Sequence, residues 1–140
     1  MIPALFAAAL LGLATTVYLL WKRYARPGEP LVCPIGENCQ TVLDSRFGRM
    51  LGFRNEFIGA AYYAVMLAFL ILAEQGKVLP FSLLGSADPA DVALLIAVPA
   101  AVVSIALTGI QALVLKNWCS YCLFANAVNI FLLVGILVSR

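Results

Sequence analysis

The chain has 140 residues, of which 64% are hydrophobic and 11% are charged, and its formal net charge is +2. Charged residues make up about a quarter of an ordinary soluble domain, so this composition excludes the soluble globular class and indicates one membrane domain. The chain contains no histidine. Histidine-ligated haem, a histidine general base and a cysteine–histidine nucleophile are therefore excluded.

Four uncharged apolar runs are long enough to cross the hydrocarbon core of a membrane, about 30 Å, as helices. They cover residues 2–21, 57–73, 92–115 and 118–139. We predict an all-α membrane protein, a four-transmembrane-helix bundle in a single domain over residues 1–140. Its helices are expected at about 2–21, 55–74, 89–115 and 118–139. The first run lacks a basic segment before it and is not expected to be a cleaved signal.

The polar segment 22–54 follows the first helix and contains the first cysteine pair, Cys33 and Cys39, with five residues between them. Prolines and a glycine at 27–30 prevent a helix there. Residues 40–51 have apolar side chains at roughly helical spacing. We predict a short amphipathic helix at the membrane interface. The cysteine-bearing loop and this helix are expected to cap one end of the bundle.

The third helix has a clear start and a polar stripe. Residues 74–90 are predicted to form turns, and Asp88 followed by Pro89 is typical of a helix N-cap and first helical position. The polar residues of the stripe are Ser104, Thr108 and Gln111.

The fourth helix opens with the second cysteine pair, Cys119-Ser-Tyr-Cys122. Cys122, Asn126 and Asn129 follow at spacings of four and three, so they share one helix face. A sulfur and two amides on one face in lipid are expected to point into the protein. There they would form a pocket for the polar head of an apolar ligand such as a quinone. The alternative for the two asparagines is hydrogen bonding that only holds the helices together.

A cysteine pair of the C-x-x-C type at a helix start is the usual arrangement of a reversible thiol–disulfide centre, because the helix dipole favours a thiolate. A second pair within reach allows exchange. With four spans, both pairs fall at the same edge of the bundle. Three alternatives stay open: structural thiols, two inert disulfides, and zinc bound by four thiolates, to which the wide spacing of Cys33 and Cys39 is a poor match.

Two arguments place the cysteines on opposite sides of the membrane: the distribution of cations favours the cytoplasm, and disulfide chemistry favours an oxidising compartment. The edge with the cysteines carries Lys22, Arg23, Arg26, Arg46, Arg49, Arg54 and Lys116, and the opposite edge carries Lys77 and Arg140. The positive-inside rule then puts the cysteines in the cytoplasm. Disulfide chemistry favours an oxidising compartment. The arginines at 46, 49 and 54 belong on a second interpretation to a folded cap, where they favour thiolates or contact lipid phosphates.

Taken together, these residues resemble the vitamin K epoxide reductase family, in its microbial type without a fused thioredoxin domain, over nearly the whole chain. The resemblance is carried by the Cys33 and Cys39 pair, by Ser45-Arg46-Phe47-Gly48-Arg49, by Asn55 at the head of the second helix and by Cys119-Ser-Tyr-Cys122. It implies a four-helix bundle around a quinone, capped by the loop and its short helix.

The resemblance also implies an electron path. A reduced thioredoxin-like (DsbA-like) partner attacks the loop disulfide at Cys33, the released Cys39 attacks Cys119, and Cys122 faces the quinone. The quinone is of the ubiquinone, menaquinone or vitamin K type. The family implies that Asn55 hydrogen-bonds a quinone carbonyl.

Three more residues are expected at the quinone site: Ser45, Phe47 and Asn126. Asn126 stands where the vertebrate enzyme has a tyrosine, and its amide can still donate a hydrogen bond. This difference favours quinone-linked disulfide formation over epoxide reduction.

We therefore expect a quinone-linked thiol–disulfide oxidoreductase that supports protein disulfide formation. Membrane lipid is the other expected partner, and neither nucleic acid nor metal is expected. One alternative is the reverse flow, reduction of a quinone or a quinone epoxide, and another is a structural membrane protein. The redox site is expected on the periplasmic, extracellular or luminal face, although the cation count favours the cytoplasmic face.

Overall fold

The structure is a computed structural model that describes residues 2–29, 31, 33, 39–76, 79–81 and 85–139. The helices are α1 Ile2–Ala25, α2 Cys39–Asp44, α3 Asn55–Glu74, α4 Pro89–Ile110 and α5 Ser120–Ser139. The strands are β1 Arg49–Met50, β2 Phe53–Arg54, β3 Leu79–Phe81 and β4 Gly85–Ala87. The loop residues 34–38 between the paired cysteines, Lys77 and Arg140 lie outside the described residues.

Four helices are long and apolar enough to cross a membrane: α1, α3, α5, and α4 together with the π-helical turn Gln111–Leu115 that continues it. Helix α1 packs against α3 and α5, and α4 packs against the same two helices. The four helices therefore form a closed ring. The predicted four-helix membrane bundle is confirmed, and the protein is a multi-pass membrane protein.

The core of the bundle depends on close contacts between small and large residues. Gly12 on α1 lies against the ring of Tyr63 on α3, and a Cβ atom at Gly12 would overlap that ring. The Tyr63 hydroxyl donates a hydrogen bond to the carbonyl of Ala125 on α5 at 2.9 Å. This bond satisfies a buried phenol and joins α3 to α5.

The cap differs from the single helix predicted over residues 40–51. Helix α2 ends at Asp44, a 3₁₀ turn covers Arg46–Gly48, and β1 and β2 form an antiparallel hairpin. The prediction is wrong beyond Asp44, because Ser45 takes an extended conformation with a ψ angle of 161° and ends the helix. Further along, Leu51 and Gly52 take positive φ angles of 54° and 83°. Two such residues in succession make the tight turn of a hairpin. Leu51 consequently points outward, 89% exposed, and does not join a helix face.

The connection between α3 and α4 contains a second hairpin, in which β3 pairs with β4. The sequence predicted turns there and no strands. The predicted start of the third helix is confirmed, since the Asp88 side chain accepts the N–H of Ala90 at 2.9 Å and Pro89 occupies the first helical position. This cap satisfies one of the exposed amides at the helix start.

Candidate redox site

The first cysteine pair forms a disulfide within the cap. Cys33 and Cys39 are bonded, with a Cα–Cα distance of 6.0 Å. Both residues are buried, Cys33 with 7% and Cys39 with 0% exposure. Because Cys39 is the first residue of α2, the short helix holds one sulfur of the pair against the bundle.

The second pair, Cys119 and Cys122, carries thiols and is not disulfide-bonded. Cys119 lies immediately before α5 and acts as its N-cap, because its Sγ accepts the N–H of Cys122 at 3.3 Å. Cys119 is fully buried and shares one apolar cluster with the loop disulfide, and Cys122 packs against that cluster. The fold therefore brings all four cysteines together at one end of the bundle.

The end of α4 fixes the position of Cys119. Gln111, the first residue of the π-helical turn, is buried, and its Oε1 accepts the backbone N–H of Cys119 at 3.0 Å. The turn ends at Lys116, whose left-handed φ of 49° directs the chain toward α5. Short π-helical turns of this kind are frequent at functional sites. The sequence placed Gln111 on the polar stripe of the third helix but did not predict this contact.

A cavity of about 500 Å³ lies next to the second pair. Its lining is predominantly apolar and includes Cys122 together with all four residues expected to hold a quinone: Ser45, Phe47, Asn55 and Asn126. Its size falls within the range of ligand pockets, about 300–1,000 Å³. The cavity thus lies between the cap and the helices, with the side chain of Cys122 on its wall.

The cap side of the cavity is held by short hydrogen bonds. Asn55 is the first residue of α3, and its Nδ2 donates to the carbonyl of Phe47 at 2.8 Å. Because the acceptor is a carbonyl, the amide orientation is fixed. The Asn55 Oδ1 atom is buried and has no hydrogen-bond partner in the described part of the chain. The Ser45 hydroxyl donates to the carbonyl of Val42 at 2.7 Å.

The helix side of the cavity contains the two asparagines of α5. Asn126 Nδ2 donates to Thr108 Oγ1 at 2.9 Å, and Asn129 Nδ2 donates to Ser104 Oγ at 2.7 Å. Hydrogen bonding between helices, the alternative interpretation, is therefore found for both residues. Both also line the cavity, and the Asn129 Oδ1 atom is buried without a partner among the described residues.

An ion network joins the cap to the bundle. Asp44 at the end of α2 lies 3.0 Å from Arg23 Nη2 and 3.6 Å from Arg54 Nη2. A hydrogen bond from Gln40, together with these two guanidinium groups, holds the pKa of Asp44 below its usual value of 3.8. Arg54 is paired within this network, which agrees with the interpretation that it belongs to a folded cap.

Glu56 and Tyr62 line the cavity although the sequence did not single them out as candidate site residues. Glu56 is only 4% exposed, and its Oε1 lies 3.6 Å from Arg23 Nη2 and 3.7 Å from Arg54 Nη2. The signal that points to Glu56 is an ionisable residue in the first turn of a membrane-spanning helix. Tyr62 has no comparable signal, because aromatic residues near a membrane surface are common.

The zinc alternative does not fit the cysteine arrangement. Two of the four sulfurs are joined as the Cys33–Cys39 disulfide, which leaves too few thiolates for a four-cysteine site. Within the described ranges, no group of three histidine, cysteine, aspartate or glutamate residues is arranged to hold a metal ion.

The comparisons with known proteins agree with the arrangement of cysteines, helices and cavity. A family model described as the vitamin K epoxide reductase family matches residues 3–137. The search of curated proteins returns no match. The chain therefore belongs to the vitamin K epoxide reductase family, and at that level it is a membrane oxidoreductase of quinone-linked thiol or quinone-epoxide chemistry.

Proposed function

We propose that this protein is a quinone-linked thiol–disulfide oxidoreductase that oxidises a thioredoxin-like partner and so supports protein disulfide formation. The observation that carries the proposal is the different surroundings of the two thiols of the second pair. Cys119 is buried in one cluster with the loop disulfide, and Cys122 lines the cavity. The second pair is thus in a position to exchange with the loop on one side and with a cavity ligand on the other.

The transfer between the pairs follows from ordinary thiol–disulfide exchange. The thiolate of Cys39 attacks the Cys119 sulfur of an oxidised second pair, which breaks the Cys119–Cys122 bond and forms a Cys39–Cys119 bond. Attack of Cys33 on Cys39 then closes the loop disulfide and releases Cys119. Two electrons have moved to the second pair, and the product is a loop disulfide with two thiols. The structure has this same distribution of bonds.

The partner is expected to attack the loop disulfide at Cys33. Cys33 keeps 7% exposure while Cys39 has none, so Cys33 is the sulfur closer to solvent. Such low exposure requires the loop to open before an in-line attack is possible. A reduced dithiol of the thioredoxin type supplies the two electrons and leaves as a disulfide.

The cavity suits the head of a quinone of the ubiquinone, menaquinone or vitamin K type. A bound quinone accepts two electrons and two protons. Asn55, Ser45, Phe47 and Asn126 would hold the ring beside Cys122, and the unpartnered Asn55 Oδ1 is one sign of a polar group that a ligand satisfies.

We further propose that the redox site faces the periplasm, the extracellular space or a lumen, where disulfides persist. Four of the seven cations at this edge take part in ion pairs of the folded cap: Lys22, Arg23, Arg26 and Arg54. These ion pairs explain why the four cations are at this edge, so their number is weaker evidence for a cytoplasmic orientation. A cysteine introduced at exposed Arg49 should react with an impermeant thiol reagent in intact cells. Labelling only after lysis would place the cap in the cytoplasm.

Reduction of menadione by purified protein, with a reduced thioredoxin-like donor, tests the proposed activity. Cys122→Ser should abolish menadione reduction. Cys33→Ser should block oxidation of the donor but leave a chemically reduced second pair able to react with menadione. Full turnover by both variants contradicts the relay. Turnover of a quinone epoxide without quinone reduction would instead assign an epoxide reductase activity.

A further inference from the structure

Glu56 is a buried carboxylate that accepts no hydrogen bond from the residues that the structure describes. It belongs to the first turn of α3, is 4% exposed and lines the same cavity as Cys122. Neither carboxylate oxygen has a hydrogen-bond partner within the described part of the chain. Its contacts to Arg23 and Arg54, at 3.6 and 3.7 Å, are too long for hydrogen bonds. Burial of a carboxylate without hydrogen bonds costs free energy, unless a ligand supplies the missing donors.

The neighbouring arginines place positive charge beside Glu56 and still leave its lone pairs available. Arg23 Nη2 donates to Asp44 at 3.0 Å, and Arg54 Nη2 donates to the carbonyl of Leu43 at 3.1 Å. The Arg54 Nε atom is buried and has no hydrogen-bond partner among the described residues, so it does not bond to Glu56 either. Both positive charges remain within 4 Å of the Glu56 carboxylate without capping its oxygens.

Among the described residues, three more buried atoms of cavity-lining side chains have no hydrogen-bond partner: Asn55 Oδ1, Asn129 Oδ1 and the Tyr62 hydroxyl oxygen. The Tyr62 hydroxyl both donates and accepts hydrogen bonds. The two amide oxygens and the carboxylate oxygens only accept hydrogen bonds. A ring with hydroxyl groups, as in the reduced form of a quinone, donates to such acceptors, whereas a ring with carbonyl groups does not. These acceptors therefore complement a ring oxygen that is gaining a proton, as happens on the way to the reduced head, and an enzyme accelerates a step by favouring its transition state.

We propose that Glu56 contacts a ring oxygen of the ligand in this cavity and carries the proton that this oxygen gains, an inference that rests on the proposed function. Oxidation of the second pair breaks two S–H bonds, forms the Cys119–Cys122 bond and releases two electrons and two protons. These end as two O–H bonds on the ring. Glu56 accepts the proton of the Cys122 thiol, donates it to one ring oxygen and is a carboxylate again. The Cys119 proton goes to the second oxygen.

Two further features support this role. The chain has no histidine, the usual group for proton transfer near neutral pH, so another side chain has to carry the proton. Glu56 and Cys122 also lie on the wall of one cavity. Asp44, the other acid of the network, is half exposed and is not on the cavity wall.

Binding of two matched probes tests the contact without turnover. 1-Naphthol carries one hydroxyl donor, and 1-methoxynaphthalene carries the same ring without it. Wild type should bind 1-naphthol about tenfold tighter than the ether, since a hydrogen bond to a charged acceptor contributes at least that factor. Glu56→Gln should lose most of this preference and bind the ether as wild type does. Glu74→Gln, the same change at an exposed residue of the same helix, should match wild type.

Oxidation of the chemically reduced second pair by menadione then tests proton transfer. Glu56→Gln should react about 100-fold more slowly than wild type, the usual size of such an effect. A rate within about twofold of wild type overturns the proposal. Equal weakening of both probes together with a lower melting temperature assigns Glu56 a purely structural role, which also overturns it.

The outcomes separate this inference from the proposed function. Normal menadione reduction by both wild type and Glu56→Gln removes only the role of Glu56. No reduction by wild type removes the proposed function and this inference with it. If Glu56→Gln fails to fold, the wild-type protein alone still decides, because equal binding of the naphthol and its ether contradicts the contact.

Discussion

The hydrogen bond between Gln111 and Cys119 gives the sharpest test of how the fold positions the redox centre. Gln111→Met keeps the length and approximate volume of the side chain and removes the acceptor. Gln111 is 3% exposed and Cys119 is fully buried, so water cannot replace the lost oxygen without a rearrangement. An unsatisfied buried N–H costs about 1–3 kcal/mol, and we expect the free energy of unfolding to fall by that amount.

The same loss should also slow exchange between the two cysteine pairs. The bond holds the residue that starts α5, and the Cys119 sulfur needs a defined line of approach to Cys39. If the free energy lost with this hydrogen bond raises the activation barrier of the exchange, each increase of about 1.4 kcal/mol slows the exchange tenfold. We therefore expect formation of the loop disulfide, starting from an oxidised second pair, to slow by about tenfold to 100-fold.

Two measurements on Gln111→Met check this prediction: denaturant unfolding in detergent, and rapid-quench alkylation that follows loop disulfide formation. Gln75→Met is the matched control, because Gln75 is an exposed residue after the end of α3. Its free energy of unfolding should stay within about 0.5 kcal/mol of wild type. If Gln111→Met behaves like Gln75→Met in both assays, the hydrogen bond does not position the redox centre.

Two further predictions concern the bundle and the cap. Gly12→Ala should destabilise the protein by about 1–3 kcal/mol because its Cβ overlaps the Tyr63 ring, whereas Gly109→Ala, where nothing lies within 4 Å, should be neutral or stabilising in thermal unfolding. The pKa of Asp44 is lowered in the folded state, mainly by its hydrogen bond from Gln40. Ionised Asp44 therefore stabilises the fold at pH values above its unfolded pKa of 3.8, and this stabilisation is lost as the pH falls through the lower folded pKa. Asp44→Asn should remove this acid-dependent part of the unfolding free energy, about 0–1 kcal/mol for an exposed pair, and an unchanged pH profile would contradict it.

The spanning helices could be predicted from the sequence because lipid imposes a simple rule on the backbone. A segment in hydrocarbon has to satisfy its own hydrogen bonds, so each long uncharged run becomes a helix. The cap follows no such rule. The hairpin after α2 depends on Leu51 in a left-handed conformation, which is uncommon for a leucine, and on the contact of Gly48 with the Leu43 carbonyl. Neither feature has a periodic signal.

The candidate site was predictable only in part. An even number of spans places both cysteine pairs at one edge, and the residues taken from the family resemblance lie on one cavity because the cap folds over the helix ends. Glu56 was not predicted, because a charged residue at the start of a membrane-spanning helix is usually expected to lie exposed at the membrane interface. Its burial results from Arg23 on α1 and Arg54 on β2, which the sequence alone does not bring together.

The most direct test of the relay is to trap the bond between the pairs. Cys33→Ser removes the residue that resolves the Cys39–Cys119 intermediate. After oxidation of the second pair, this variant should accumulate a Cys39–Cys119 disulfide, identified by mass spectrometry of the linked peptides, and the double variant with Cys119→Ser should not. A Cys33→Ser protein that contains only the Cys119–Cys122 disulfide, or that links Cys39 to Cys122, would contradict the account.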